Sequence, residues 1–460
     1  MRILLVYPPT TMFKSIERKR VGFPIGIGYL AAVLRREGYD AKILDATFED
    51  FHVEEGLGDD GRIRFGLSYK KIKDYIANFK PDVVGISALF QSQSENAHAV
   101  CRIAKEVSPK IFTIMGGAYP TSDPETCMKD PHVDRIRKAE AEESLLALLK
   151  GQAYPDISYV QNLDNLPFPA RDLVDFVKYS EAPCSHGAFK YKPFATVTSS
   201  RGCPFGCTFC FTSVMNGKVY RPRSPQNVLN EIEFLINNYG VKEIHFEDDN
   251  LTFDRKRAFE IFQGFIDRRF DIAWTTPSGI SIATVNEELL IKMKESGCYS
   301  LILAPESGNQ RVLSEVMRKP FKLEKAEEIV RILYGLKISV ACMFMMGLPG
   351  ETKKEIEDTL NFAAHLKDIN PNVYSSFNIY TPFKGTELYD VCVKKNYFDT
   401  TRTAKDMRLC LGTINTEEFT HEWLEEMRYK GWLRANHISS EQDLKNSPNS
   451  CPWIPNLDNK

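Results

Sequence analysis

The chain alternates short, almost continuously apolar runs with stretches whose apolar residues recur every three or four positions. RILLVYP (2–8), AKILDA (41–46), DVVGISALF (82–90) and IFTIMGG (111–117) show little polar alternation. That is the pattern of strands buried on both faces. DRIRKAE (134–140) reads as a fifth, more polar strand. Between the first two, GIGYLAAVLRREG (26–38) puts Ile27, Leu30, Ala31 and Leu34 on one helical face, and Gly38 supplies a stop. Alternation of this kind predicts a Rossmann-like, doubly wound parallel sheet over residues 1–150.

Residues 151–192 are different. They are rich in Pro, Asn and Asp without a sustained period, and read as an inter-domain connector. A second series starts at 193. Its predicted strands are FATVTSS (194–200), EIHFEDD (243–249), DIAWTTP (271–277), YSLILAP (299–305), SVACMFMMG (339–347) and VYSSFNIY (373–380), with a helical stretch between each pair. SPQNVLNEIEFLINNYG (224–240) opens on Ser-Pro and closes on Gly, which fits helix start and stop chemistry. Six βα units are two short of a closed barrel. Residues 193–395 are therefore expected to form a partial (β/α)6 barrel, open on one side, with reactive groups at the carboxyl ends of its strands. Residues 396–460 predict a small, mostly helical C-terminal region of two helices and a polar tail, related to substrate.

Composition narrows the class. The 460 residues exceed one ordinary core. The 59 basic and 61 acidic residues nearly cancel, which gives no electrostatic case for nucleic acid or an anionic membrane. No apolar run approaches the ~18–20 residues that span a bilayer. MRILLVYPP is broken by Pro8 and Pro9 too early for a signal peptide. Eleven cysteines, an odd number, argue against a disulfide framework. A soluble cytoplasmic protein with reduced thiols is expected.

Only one cysteine cluster exists: Cys203, Cys207 and Cys210 in SSRGCPFGCTFCFTS (199–213), just after the first strand of the second series. Gly202 and Gly206, with Pro204, allow a tight loop. A thiolate-rich loop of this kind wraps a soft metal or an iron–sulfur cluster. Three thiolates on a 4Fe–4S cube leave one iron open, and an open position marks a reactive site. The alternative is a zinc knuckle closed by His186 or His245.

RGCPFGCTFC resembles the cluster loop of the radical S-adenosylmethionine (SAM) enzymes. The resemblance implies that the open iron chelates SAM. An electron from an external donor of flavodoxin or ferredoxin type then cleaves SAM, and the resulting 5′-deoxyadenosyl radical takes a hydrogen from substrate. HFEDDNLT (245–252), LILAPESG (301–308), MFMMGLPGET (343–352) and YTPFKGTEL (380–388) resemble, in order, the strand endings of the same family. They imply SAM contacts for Glu247, Asp249, Asn250, Ser278, Glu306 and Gly347. The bland reading of the acids is helix capping. Met343, Met345 and Met346 fit a core better than a ligand set.

GIGYLA (26–31) fits G-x-G-x-x-A, with Asp45 ending the second strand, which invites a nicotinamide reading. Residues 9–25 intervene after the first strand, so the tight phosphate turn is missing. The first domain resembles instead the cobalamin-binding domain found before the barrel in one branch of the radical SAM family. The resemblance implies cobalamin contacts for Pro8 and Pro9 in YPP (7–9), and for Gly26 and Tyr29 in PIGIGYLAAVLRREGYD (24–40). It implies the same for Ser87, Leu89, Phe90 and Gln91 in GISALFQSQSENA (85–97), and for Gly116, Gly117, Ala118, Tyr119 and Pro120 in GGAYPTSDPE (116–125). In KAEAEES (138–144) Glu140 and Glu142 are retained, while alanine stands where that branch has glycine. LPFPARDL (166–173) resembles its connector. Cobalamin is expected across the carboxyl ends of the first sheet. The D-x-H-x-x-G signature of a lower histidine ligand is only half met by Asp130, His132 and Arg135, and His52 and His98 lack the pattern. No protein imidazole is therefore expected on cobalt, with Phe90 or Gln91 as its floor.

The resemblance implies a methyltransferase that uses SAM both as radical source and, through methylcobalamin, as methyl donor. Its acceptor would be an unactivated carbon or a phosphinate-type centre. Cyclisation or rearrangement with the same cofactors is the alternative. A zinc-stabilised nucleotide-binding regulator is the non-enzymatic one. The substrate is either a small molecule or a protein or peptide side chain, and no residue stands out as a catalytic acid or base.

Overall fold

Strand β1 (Arg2–Tyr7) shows why the first sheet needs helices on both faces. Ile3, Leu4, Leu5 and Val6 are all buried, and successive side chains on a strand point to opposite faces. Leu4 and Val6 join one core with Ile72, Ile76, Phe79 and Val100. Ile3 and Leu5 join a second with Ile27, Ala31 and Leu34. The neighbours are β2 (Asp40–Asp45), β3 (Val83–Ser87), β4 (Phe112–Gly116), β5 (Arg135–Ala139) and the short β6 (Ile157–Ser158). The sheet order is β2-β1-β3-β4-β5-β6 and every pairing is parallel. The order of strands along the chain reverses between β1 and β3, so the ligand crevice of such a sheet lies outside their carboxyl ends.

The computed structural model describes residues 1–14, 19–58, 61–179, 182 and 189–440. The chain divides into two units, essentially Met1–Gly187 and Ala188–Ile454. One feature of the first was not expected. Thr10–Phe13, Arg62–Phe65 and Glu54–Gly56 pair as a small antiparallel sheet. Its first strand lies between β1 and the helix Ile25–Arg36. GIGYLA therefore does not sit on a tight turn after β1, and the nicotinamide fingerprint has no structural counterpart.

The second unit contains β7 (Phe194–Val197), β8 (Glu243–Phe246), β9 (Ala273–Ile280), β10 (Cys298–Glu306), β11 (Ser339–Met346) and β12 (Tyr374–Ile379). They pair in chain order, all parallel, with β7 and β12 at the edges. The helix Pro225–Tyr239 begins where Ser224 accepts from Asn227 N and ends at Gly240, φ +63°. Between 396 and 440 only one α-helix forms, His421–Ala435, not two; a 3-10 turn at Ala404–Asp406 precedes it. That helix packs on Lys353–Ile369 and on β12. Asn436, just beyond it, covers the β12 edge by copying a neighbouring strand. Ser375 N donates to its Oδ1 at 2.9 Å and its Nδ2 donates to Ser375 O at 2.8 Å. Such pairing removes an open edge. Among the described residues no helix is long and apolar enough to cross a membrane.

Candidate cluster and cofactor sites

The cysteine loop leaves β7 through the two-residue strand Ser200–Arg201. Gly202 takes φ +80°, a conformation that favours glycine. Gly206 does not need to be glycine for the protein's own sake, since a Cβ there would meet nothing. Nine described cysteines are free thiols. Six are buried, and only Cys203, Cys207 and Cys210 are partly exposed. The loop is tied to distant elements. Thr208 N donates to Met317 O at 3.2 Å, its hydroxyl to Val316 O at 2.6 Å, and Leu388 N donates to Thr208 O.

The segment after β8 grips the same loop three times. Asp248, 3% exposed, accepts from Ser199 N, from the Ser199 hydroxyl at 2.8 Å and from the Ser200 hydroxyl at 2.6 Å. Asp249 accepts from Gly202 N at 2.8 Å and from the Thr212 hydroxyl at 3.1 Å, so it bridges the two ends of the loop. Asn250 Nδ2 lies 3.6 Å from Cys203 Sγ. Asp248 is the member of this set that the family resemblance did not supply. Its signal was two serines at a strand end facing an acid at the next strand end.

The other predicted residues also sit at carboxyl ends. The Ser278 hydroxyl, within β9, donates to Glu247. Glu306 ends β10 in the left-handed region, φ +66°, a strained state for a non-glycine residue. Its carboxylate pairs with Lys319 Nζ at 3.2 Å, and that ammonium also donates to Ala304 O. Burial pulls the Lys319 pKa down, but Glu306 and the nearby Cys207 and Cys210 outweigh it and hold it raised. Burial pushes the Cys207 thiol up to about 11, opposed by the Lys319 charge; burial also raises Cys210. These are partly buried soft donors next to a partly buried cation, and thiols of this kind lose their protons when a metal binds. Gly347, after β11, has φ +83° and donates its N–H to Glu351 at 2.7 Å.

Three partly exposed thiols are the number that leaves one iron of a 4Fe–4S cube open. Thiolates sharing one zinc at ~2.3 Å must converge closely. Among the described residues no three His, Cys, Asp or Glu side chains converge in that way. His245 is committed elsewhere: its Nε2 meets Glu243 at 2.8 Å and its ring stacks on Phe194 at 4.8 Å. Tyr299 and the Lys190 and Tyr191 N–H groups complete the Glu243 shell. His186 lies outside the described residues. The zinc knuckle closed by His245 is thus not formed.

In the first unit, Pro8 and Pro9 are buried after β1. Ser87, Leu89 and Phe90 follow β3, and these residues line one small cleft with Tyr7, Thr10 and Gln93. Leu89 is 40% exposed and Phe90 57%. They are apolar, yet held in place, because Gln93 pairs with both backbone groups of Thr11 at 2.8 and 2.7 Å. Gln91 begins the short 3-10 turn between them. Gly117 takes φ +109°, and a Cβ there would lie 2.7 Å from Ala88 O. A Cβ at Gly116 would lie 3.8 Å from Arg137 O, an ordinary contact, and Ala118 starts a short helix that buries Tyr119 and Pro120. The exposed apolar pair Leu89 and Phe90 lies just past the carboxyl end of β3. Gly26 is exposed, whereas Tyr29 is buried in a side cluster with Val33, Val160, Leu163 and Leu166. Glu140 accepts from Val160 N at 2.7 Å, and Glu142 is buried. Ala139 takes φ +57°, which explains why glycine suits that place. Asp130 bridges His98 and His132, each at 2.7 Å, and His98 reaches the Tyr119 hydroxyl at 3.1 Å. His52 is exposed.

A cluster loop with three accessible thiols on a six-stranded parallel sheet, in one chain with a doubly wound sheet carrying an exposed apolar pair, defines a radical SAM enzyme with a second organometallic cofactor. Residues 197–363 match the model of the radical SAM superfamily, and residues 15–149 match that of the B12 binding domain. The chain is 31% identical to the cytidylyl-2-hydroxyethylphosphonate methyltransferase of Streptomyces wedmorensis, over 90% of this chain and 86% of that one. It is 33% identical to the uncharacterized methyltransferase PH0819 of Pyrococcus horikoshii, over 94% and 92%. Among solved structures it is similar to the radical SAM methyltransferase TsrM of Kitasatospora setae with cobalamin and a 4Fe–4S cluster bound. There the TM-score is 0.65 at 16% identity, covering 84% of this chain and 77% of that one. The chain belongs to the cobalamin-binding radical SAM enzymes, and its cofactors are a 4Fe–4S cluster, SAM and cobalamin.

Proposed function

We propose that this enzyme is a cobalamin-dependent radical SAM methyltransferase acting on an unactivated carbon or phosphinate-type centre. The observation that carries the reading is similarity above 30%, along nearly the whole of both chains, to two proteins named as methyltransferases. When bound, the cluster and SAM supply a carbon radical and cobalamin supplies the methyl group. Cys203, Cys207 and Cys210 would hold the cluster. Glu247 and Ser278, already bonded to each other, together with Glu306 and Gly347, would receive SAM at the strand ends. Leu89, Phe90 and Gly116 would carry the corrin, with Gly117 shaping the turn. Both ring nitrogens of His98 are engaged, by Asp130 and by the Tyr119 hydroxyl, which supports cobalamin without that imidazole beneath it. The electron comes from an external donor of flavodoxin or ferredoxin type. The free thiols fit a reducing cytoplasm. The acceptor is a small molecule or a protein side chain.

The test uses SAM labelled in its methyl group with the reconstituted holoenzyme and a panel of small-molecule and peptide acceptors. Methyl transfer predicts two SAM consumed per product, one appearing as 5′-deoxyadenosine and one as S-adenosylhomocysteine. Product formed with one SAM and no label would instead establish cyclisation or rearrangement.

A further inference from the structure

Asn250 is buried, 1% exposed, at the carboxyl end of the strand next to the cluster loop. Its Nδ2 is 3.6 Å from Cys203 Sγ, an ordinary length for donation to the large sulfur atom. Its Oδ1 faces the Thr284 hydroxyl at 3.4 Å. Thr284 is itself fixed by Thr252 at 2.6 Å and by Ser281 O at 3.0 Å. The amide therefore has a hydroxyl on its oxygen side and a prospective thiolate on its nitrogen side. Reversing it would set the carbonyl dipole against the sulfur. Its two predecessors act on the same loop: Asp248 holds Ser199 and Ser200, and Asp249 holds Gly202 and Thr212. Three consecutive residues thus face the cluster loop.

We infer that Asn250 acts on the cluster: it donates a hydrogen bond to the Cys203 sulfur and so raises the cluster's reduction potential. Reduction places more negative charge on the sulfurs, and a donor aimed at one of them favours the reduced state. Asp248 and Asp249 are positioning residues that hold the loop in register with that donor. The inference rests on the cluster assignment alone and is independent of whether the enzyme transfers methyl groups.

The test is an EPR-monitored redox titration of the reconstituted cluster in the wild type, Asn250→Leu and Asn250→Asp. Iron content and SAM affinity are measured alongside. Loss of the donor should make reduction about tenfold less favourable, roughly 59 mV for one electron. Asn250→Asp should shift further, because it adds negative charge. A fully loaded variant with an unchanged potential would overturn the inference, and weakened SAM binding at unchanged potential would assign Asn250 to the cosubstrate instead. The wild type gives a reading that no variant's folding can obscure. After reconstitution in deuterated buffer, the reduced cluster should show a coupling to an exchangeable deuteron that matches an amide donor at Cys203. Its absence would equally refute the proposal.

Discussion

Replacing Glu351 by glutamine should flatten the pH dependence of the second unit's stability between about pH 6 and pH 8. Glu351 is 1% exposed. Its Oε2 accepts from Gly347 N at 2.7 Å and Leu348 N at 3.1 Å, but its Oε1 is buried without a hydrogen-bond partner. Burial pushes the carboxyl from its ordinary 4.5 up to about 8, against the pull of the two N–H groups. A raised folded pKa means that the native state holds the proton more tightly than the unfolded chain. Stability from this group is complete below about pH 4.5 and is lost progressively as pH rises to about 8. With those two values the loss between pH 6 and 8 comes to about 2 kcal/mol. Glutamine keeps an acceptor for both N–H groups and cannot titrate. The assay is urea denaturation of the cofactor-free protein, followed by tryptophan fluorescence. The tryptophans, at 274, 423, 432 and 453, all follow residue 188. Subtracting variant from wild type cancels the titrations common to both. A wild-type curve falling no faster than that of Glu351→Gln would refute the assignment of a buried, proton-holding carboxyl.

Two further outcomes follow from the geometry. Replacing Cys203, Cys207 and Cys210 together by alanine should abolish the cluster's visible absorption and all SAM cleavage while cobalamin still binds; retained reductive cleavage would sink the cluster site. Ala139→Gly should stabilise the first unit by about 1 kcal/mol, because it relieves a left-handed alanine, and a lower unfolding midpoint would contradict that account.

Most strands of both parallel sheets were legible because they are runs of β-branched and aliphatic residues, as in Ile3–Val6, whereas the two-residue Ile157–Ser158 lies in the stretch that reads as a connector. The antiparallel sheet was not. Its strands have three or four residues, and one of them, Glu54–Gly56, is exposed along its whole length. Arg62–Phe65 did carry a signal, since Ile63 and Phe65 are buried between two outward arginines, but four residues of alternation are easily overlooked. The cysteines were legible because chemistry fixes their spacing. Their supports were not, because the partners are distant in the chain: Thr208 rests on Val316, and Glu306 pairs with Lys319. The loop contacts of Asp249 and Asn250 are not legible in the resemblance, which gives that stretch a role toward SAM only. Between 396 and 440 one α-helix forms, whereas two are expected over 396–460, and the residues before it show why. Residues 397–419 are spent on local turns, such as Asp399 binding Thr401 and Asn415, and not on an apolar stripe.

The distribution of those supports follows from what an eleven-residue loop without regular structure must overcome. Fixing each backbone residue costs about 1–2 kcal/mol in entropy, whereas each hydrogen bond returns a net ~0.5–1.5 kcal/mol. The bonds from Asp248, Asp249, Val316, Met317 and Leu388 cannot order residues 202–212 by themselves. They are placed where they limit the search most: at the strand end, across the two ends of the loop, and at its middle beside Cys207. Metal binding then supplies the remaining free energy as folding free energy. On this account the protein's own bonds would hold the cysteine loop near its final place, and a bound cluster would complete its ordering. That division of labour accounts for the two carboxylates, Asp248 and Asp249, that bind the loop itself.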